Sequence, residues 1–314
     1  MKDLLRTEHL SRADIDMILA TAADFAKDPL REKHELANKT VAIYMTKPST
    51  RTRLASETAT AHLGGTPIFI RGDELQLGRG ETIADTARII SGFCSALIIR
   101  TFAQADVDEL GKWATIPVIN ALTDDDHPTQ LLADWLTIRE NFGENIAGRK
   151  FVYLGDGNNM ANTWLIMGAI MGAHVVAATP SGKWAPSLEA IATAKKIAAH
   201  SGATVEVTDD PENAAKGASV LYTDVWMSMG DPESERSEKS QVLAPFSVTE
   251  HLMSLTSSDS IFMHCLPAHR GEEVAASVID GTRSVIWREA FHRRTTIQSL
   301  LYHLIRGEIQ GVSH

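Results

Sequence analysis

Ten short β-rich runs punctuate the chain from residue 40 onward: 40–46 (TVAIYMT), 66–70 (TPIFI), 96–100 (ALIIR), 116–121 (IPVINA), 150–155 (KFVYLG), 173–179 (AHVVAAT), 203–208 (ATVEVT), 218–223 (ASVLYT), 261–266 (IFMHCL) and 284–287 (SVIW). Between them lie segments such as 50–63 and 128–142, with apolar residues at helical spacing. Strands that are apolar at nearly every position must be covered on both faces, the situation of parallel sheets layered between helices. The pattern therefore predicts an α/β fold built on central parallel sheets flanked by helices.

A chain of 314 residues suggests about two domains at roughly 150 residues each. The stretch 141–149 (NFGENIAGR) is polar and Gly-containing and separates a long helical pattern from a fresh strand. We place the boundary there, giving domains 1–145 and 146–288 with four to six strands each. A last helix covers about 289–307, within a C-terminal segment 289–314. The charged run 231–239 (DPESERSEK) reads as a solvated loop.

With 30 Lys and Arg against 40 Asp and Glu, the net charge is −10, which argues against a nucleic-acid footprint. Two cysteines, Cys94 and Cys265, make no disulfide framework and point to a reducing, cytoplasmic setting. The first residues, MKDLLRTEHLSRADID, lack an apolar leader core. No run approaches the ~18 apolar residues of a membrane span, so no membrane partner is expected.

In parallel sheets, ligands gather where strands end and helices begin, because helix N-termini present unbonded N–H groups there. After the first run comes Lys47-Pro48-Ser49-Thr50-Arg51-Thr52-Arg53, leading into a helical segment. Ser49 or Thr50 suits the N-cap, and two guanidiniums at the positive end of a helix dipole make sense beside an anion such as phosphate. Arg100 ends another strand with a fork suited to phosphate or carboxylate oxygens. The run 116–121 leads to Asp124-Asp125-Asp126-His127-Pro128-Thr129-Gln130, in which Pro128 opens a helix and His127 stands at its mouth. The three aspartates fit Ca²⁺-loop spacing poorly and read as a solvated turn and helix start.

In the second half, Gly155-Asp156-Gly157-Asn158-Asn159-Met160 follows a strand and opens a helix. A dinucleotide fingerprint would need glycine where Met160 stands, and an acidic residue after the next strand, where Ala178-Thr179-Pro180 is found. The nicotinamide reading fails, and no cofactor is expected. Asp224, in Asp224-Val225-Trp226-Met227-Ser228-Met229-Gly230, ends a strand and suits an ammonium group, with the following turn offering N–H groups to a carboxylate. Cys265 lies between His264 and His269 at another strand end, but a fourth zinc ligand at ordinary spacing is missing, so no metal is expected. Cys94 reads as a core residue.

Four of these motifs together, Ser49–Arg53, His127-Pro128-Thr129-Gln130, Asp224–Gly230 and His264-Cys265-Leu266-Pro267, closely resemble the aspartate/ornithine carbamoyltransferase superfamily, and within it the ornithine carbamoyltransferases. They span nearly the whole chain in family order. The resemblance implies carbamoyl transfer from carbamoyl phosphate to the side-chain amine of L-ornithine, giving L-citrulline and phosphate. It also implies a carbamoyl-phosphate domain, an ornithine domain, a C-terminal helix returning to the first domain, and a homotrimer or multiple of trimers. By the resemblance, Ser49, Thr50, Arg51, Thr52, Arg53, Arg100, His127 and Gln130 hold carbamoyl phosphate. Gln76 lies in a loop that completes a neighbouring subunit's site. Asn159, Asp224, Ser228 and Met229 hold the amino-acid end of ornithine. Cys265 and Leu266 lie against the reacting amine and count among the carbamoyl-phosphate contacts. Arg51, Arg100, His127, Asp224 and Cys265 carry the chemistry, with Cys265 either orienting the amine or removing its proton.

One segment departs from the family pattern, which has Glu-Asn before a phosphate-binding arginine; here it reads Ala290-Phe291-His292-Arg293-Arg294. Spacing to Thr296-Ile297 favours Arg293, with Arg294 as the competitor. The alternative acceptors are putrescine, which has no carboxylate for the Ser228 turn, and an N-acylated ornithine, which has no charge for Asp224. Whether such an enzyme serves arginine synthesis or citrulline breakdown is left open by the sequence.

Overall fold

The structure, a computed structural model, describes residues 1–74, 80–228 and 230–312. It divides into two compact units, Met1–Leu136 with Phe291–His314, and Thr137–Ala290.

The first unit carries β1 (Thr40–Met45), β2 (Thr66–Arg71), β3 (Ala96–Arg100) and β4 (Val118–Leu122), all parallel, in the order β2-β1-β3-β4. Its helices are α1 (Arg12–Lys27), α2 (Thr50–His62), α3 (Ile83–Phe93), α4 (Gln104–Trp113) and the start of α5 (Pro128–Phe142). Val41, Ala42, Ile43, Leu97, Ile98 and Ile99 are all buried, which is why β1 and β3 read as unbroken apolar runs. Chain order reverses between β1 and β3, so the crevice outside their carboxyl ends is this sheet's natural ligand position.

The second unit carries β5 (Lys150–Leu154), β6 (His174–Ala178), β7 (Thr204–Thr208), β8 (Val220–Thr223) and β9 (Ile261–His264), again all parallel, in the order β7-β6-β5-β8-β9. Its helices are α6 (Asn159–Ile170), α7 (Leu188–Ser201), α8 (Pro211–Ala215), α9 (Arg236–Leu243), α10 (Glu250–Leu255) and α11 (Ala276–Ile279). The reversal here falls between β5 and β8. An aromatic stack of Tyr153, Tyr222 and Trp164 fills the space above these two strands, with centroids 6.1 and 4.9 Å apart.

The final helix, α12 (Ile286–Ile305), belongs to the first unit from Phe291 onward. It packs on α1, where Ser299 Oγ donates to the Ile18 carbonyl at 2.8 Å and His303 Nε2 meets Thr21 Oγ1 at 2.9 Å.

Three expectations need correction. The run 284–287 is no strand: Ser284 forms a single bridge to Phe262, and α12 begins at Ile286. A four-residue apolar run cannot by itself be told from the buried start of a helix. Asp126 is not part of a solvated turn. It is buried and accepts from Thr7 N at 2.6 Å and Thr7 Oγ1 at 2.7 Å. The run 231–239 is no simple loop, since it holds a short 3₁₀ turn (Glu233–Glu235) and the start of α9, and Lys239 is buried. Among the described residues, no helix is long and apolar enough to cross a membrane.

Candidate active site

In the first unit the site begins with the turn after β1. Ser49 is the N-cap of α2 and accepts from Thr52 N at 3.3 Å. The first turn of α2 contains no acidic residue, so nothing local answers the positive end of its dipole. Instead the turn carries Arg51 and Arg53, and among the described residues no carboxylate pairs with Arg51. Arg53 is differently engaged: its guanidinium lies 3.8 Å from the centroid of the Phe69 ring and pairs with Glu57 at 2.9 Å. A cavity of about 570 Å³ opens beside this turn, lined by Ser49, Thr50, Arg53, Phe69 and Arg71 among others.

Neighbouring strand ends bring in the other cations. Arg100 Nε donates to the Lys47 carbonyl at 3.2 Å, fixing the end of β3 to the β1 turn. Lys47, itself buried, pairs with Asp124, so the turns after β1 and β4 are tied by an ion pair that the motif alone did not suggest. His127 is buried just before α5. Burial, helped by the nearby Arg293, Arg100 and Arg51 charges, holds its imidazole well below the usual histidine range. Gln130 Nε2 donates to Asp134 Oδ1 at 2.8 Å, which turns its oxygen toward Arg293.

That oxygen separates Arg293 from Arg294. Arg293 is buried, its Nη1 donating to Gln130 Oε1 at 2.5 Å and its Nη2 to Thr52 Oγ1 at 3.3 Å. Arg294 turns elsewhere on α12, to His62 Nδ1 and Gln298 Oε1. Gln76 lies outside the described residues.

In the second unit the loop after β5 folds back on itself. A Cβ at Gly157 would lie 2.1 Å from the Ala185 backbone, so the second glycine of the G-x-G exists for loop packing, which explains the resemblance to a dinucleotide motif. Asn158 caps α6, its Oδ1 accepting from Met160 N at 2.9 Å, while its Nδ2 donates to Asp224 Oδ2 at 3.0 Å. The side chain that reaches Asp224 is Asn158, a residue the sequence reading did not single out for the site. Its signal was present, since the residue before a helix is where an Asn cap is expected.

Asp224 is buried at the end of β8. Its Oδ1 accepts from Val225 N at 2.7 Å and from Cys265 Sγ at 2.9 Å. Ser228 follows on the same loop, where its N–H donates to Asp231 Oδ2 at 2.9 Å. Met229 lies outside the described residues. Leu266 holds a φ of 59°, a strained value for a branched side chain, with its N–H donating to His264 Nδ1 at 2.8 Å. His264 Nε2 in turn meets the buried Glu273 at 3.2 Å.

Asp224, His264 and Cys265 each offer a ligand atom within 4.8 Å of the others, the geometry a cation would need. Both imidazole nitrogens of His264 are already hydrogen-bonded, however, and the thiol donates to the carboxylate, so the cluster is organised as a hydrogen-bond network.

Residues 2–140 match the carbamoyl-phosphate-binding domain described for aspartate/ornithine carbamoyltransferases, and residues 147–304 match the Asp/Orn-binding domain. The chain belongs to the aspartate/ornithine carbamoyltransferase family. Within this family it is 47% identical to the ornithine carbamoyltransferase of Anoxybacillus flavithermus, over 97% of this chain and 96% of that protein. The anabolic ornithine carbamoyltransferase of Pyrococcus furiosus is 46% identical, over 98% of each chain. Among solved structures, ornithine carbamoyltransferase from Pyrococcus furiosus superposes with a TM-score of 0.92 at 45% identity, covering 98% of both chains. The expected fold, two parallel-sheet domains with a returning C-terminal helix, is the fold of this family.

Proposed function

We propose that the protein transfers the carbamoyl group of carbamoyl phosphate to the side-chain amine of L-ornithine, giving L-citrulline and phosphate. The donor is a small dianion, and the first unit presents an α2 N-terminus lacking acidic residues, flanked by Arg51, Arg100, His127 and Arg293. Ser49, Thr50, Arg51, Thr52 and Arg53 bind the phosphate end, with Gln130 setting Arg293 against it. As the amine attacks, negative charge grows on the carbonyl oxygen, and Thr52, Arg100 and His127 stabilise it. A neutral His127 serves as a hydrogen-bond donor to that oxygen, while Arg51 and the helix N–H groups take the departing phosphate.

The acceptor binds through Asp224, Ser228 and Met229, with Asn159 at the start of α6 and Asn158 holding Asp224 in place. An aliphatic amine has a solution pKa of about 10.4, so it arrives protonated and must lose a proton before it attacks. Cys265, its thiol hydrogen-bonded to Asp224, orients that amine beside Leu266. The rest is positioning and electrostatics, with no cofactor assigned.

The observation that carries the substrate assignment is Asp224, a buried carboxylate held by Asn158 and Cys265 at the reversal point of its sheet. It fits a free α-ammonium group, which N-acylated ornithine lacks; putrescine has no carboxylate for the turn that follows. The names of the full-length relatives support the same choice. A citrulline-forming assay on purified protein tests it: turnover of putrescine or acetylornithine without ornithine would overturn the assignment.

We further assign the protein to the cytoplasm as a homotrimer or multiple of trimers, with Gln76 completing a neighbour's site. Two free cysteines support the reducing compartment. Ile89 and Phe93, 51% and 81% exposed and one turn apart on α3, give the first unit an apolar stripe suited to a subunit contact. Light scattering giving a monomer mass would remove that assignment.

A further inference from the structure

Lys239 is buried with Leu243 on α9, a helix whose other residues are exposed or half-buried. It is 3% exposed, although its neighbours Glu238, Gln241 and Val242 on α9 are exposed. Its ammonium lies 2.7 Å from Asp156 Oδ2, in the loop after β5, and 2.7 Å from Asp231 Oδ2, in the loop after β8. It also sits 5.0 Å from the centroid of the Trp184 ring, on the turn after β6.

Each contact leads back toward Asp224. Asp231 Oδ2, the oxygen that Lys239 holds, also accepts from Ser228 N at 2.9 Å, and Asp231 N donates to the Ser228 carbonyl at 3.1 Å. Asp156 is joined through its carbonyl to the Tyr153 hydroxyl, which also donates to Asn158 Oδ1, and Asn158 binds Asp224. The Trp184 carbonyl accepts from Gly157 N at 2.8 Å. One ammonium thus ties three loops at the carboxyl ends of β5, β6 and β8.

A buried ion cluster is a poor device for stability, because desolvating its charges offsets most of their attraction, but it is a good one for fixing a single arrangement. We propose that Lys239 is a positioning residue for the amino-acid acceptor: by clamping Asp156 and Asp231 it holds the Asp224–Ser228 loop in its binding form. It also supplies the positive charge that lets Asp156 and Asp231 stand near Asp224 without repelling it. The inference rests on the assignment of ornithine to the second unit.

The test compares Lys239→Met, Lys239→Arg and Asp231→Asn with the parent enzyme, measuring kcat and both KM values. Lys239→Met should raise the ornithine KM about tenfold or more, with the carbamoyl-phosphate KM unchanged within about twofold. Lys239→Arg keeps the charge and should recover most of that loss. Asp231→Asn, at a partly exposed position where folding survives, should raise the ornithine KM several-fold and decides the matter if Lys239→Met does not fold. Equal rises in both KM values, or an unchanged ornithine KM in Asp231→Asn and in any folded Lys239→Met, would overturn the clamp. If the parent enzyme makes no citrulline from ornithine, the underlying substrate assignment fails instead, and it does so before any variant is compared.

Discussion

Arg293 donates to the side-chain oxygen of Gln130 at 2.5 Å, across 163 positions of sequence. This contact joins the last helix to the motif that opens α5 and brings a guanidinium beside Thr52 on α2. Arg294, one residue on, points 100° further around the same helix and meets His62 instead.

Arg293→Ala should therefore weaken carbamoyl-phosphate binding by about 10- to 100-fold, the effect of one or two charge-assisted hydrogen bonds. Arg294→Ala should leave that affinity within about twofold. Calorimetric titration of both variants with carbamoyl phosphate separates them; equal losses would put Arg294 in the site as well.

Arg51→Ala should abolish measurable donor binding while leaving the fold intact. The residue is half-exposed in the first turn of α2, where removing a positive charge from the positive end of a dipole does no harm. The expected result is a stability change within about 0.5 kcal/mol in denaturant titration. Near-normal donor affinity in this variant would mean that the anion site lies elsewhere.

The depressed titration of His127 makes a pH prediction. An unfolded chain takes up a proton on this residue as pH falls through about 6.5, whereas the folded protein resists protonation until lower pH. Protonation below 6.5 therefore favours the unfolded state, and stability contributed at neutral pH is lost on acidification. Between pH 7 and pH 5 the parent protein should lose more stability than His127→Asn does. Urea titrations at both values measure the difference, and parallel losses would contradict a buried, neutral imidazole.

Cys265→Ala removes the donor to Asp224 Oδ1. The expected effect is a higher ornithine KM or lower kcat. The loss should be about 3- to 30-fold, below the usual range for a hydrogen bond to a charged partner because a thiol is a weak donor. Steady-state kinetics in both substrates check it, and unchanged constants would remove Cys265 from the mechanism.

A second buried carboxylate adds a pH dependence of its own. Burial pushes Asp156 up to about 6 even though Lys239 pulls in the opposite direction. Between its unfolded value near 3.8 and 6, the folded state holds more protons, so this group favours folding at low pH and loses that contribution as pH rises. Its sign is opposite to that of His127, so the two partly cancel, and Asp156→Asn should make stability fall more steeply from pH 6 to pH 4 in urea titrations.

What the amino-acid order determined was local. Apolar runs such as Val41–Ile43 and Leu97–Ile99 announce strands buried on both faces, because a parallel sheet leaves no face for polar alternation. Ser49 and Pro128 mark the starts of α2 and α5, because capping and ring geometry act within a turn of the chain. The motif residues were legible for the same reason: each stands at a strand end that sequence pattern already located. Tertiary structure alone decided the long-range matters. Adjacent arginines on α12 diverge by helix geometry, so spacing could favour Arg293 but only packing places it against Gln130. Lys47 and Lys239, with Asp126, look like surface charges in a string of letters; each is buried because partners distant in sequence supply the compensating groups. That Asn158 meets Asp224 was likewise decided in space, since the two stand 66 positions apart in the chain. Periodicity and capping are properties of neighbours along the chain, whereas charge compensation belongs to neighbours in space.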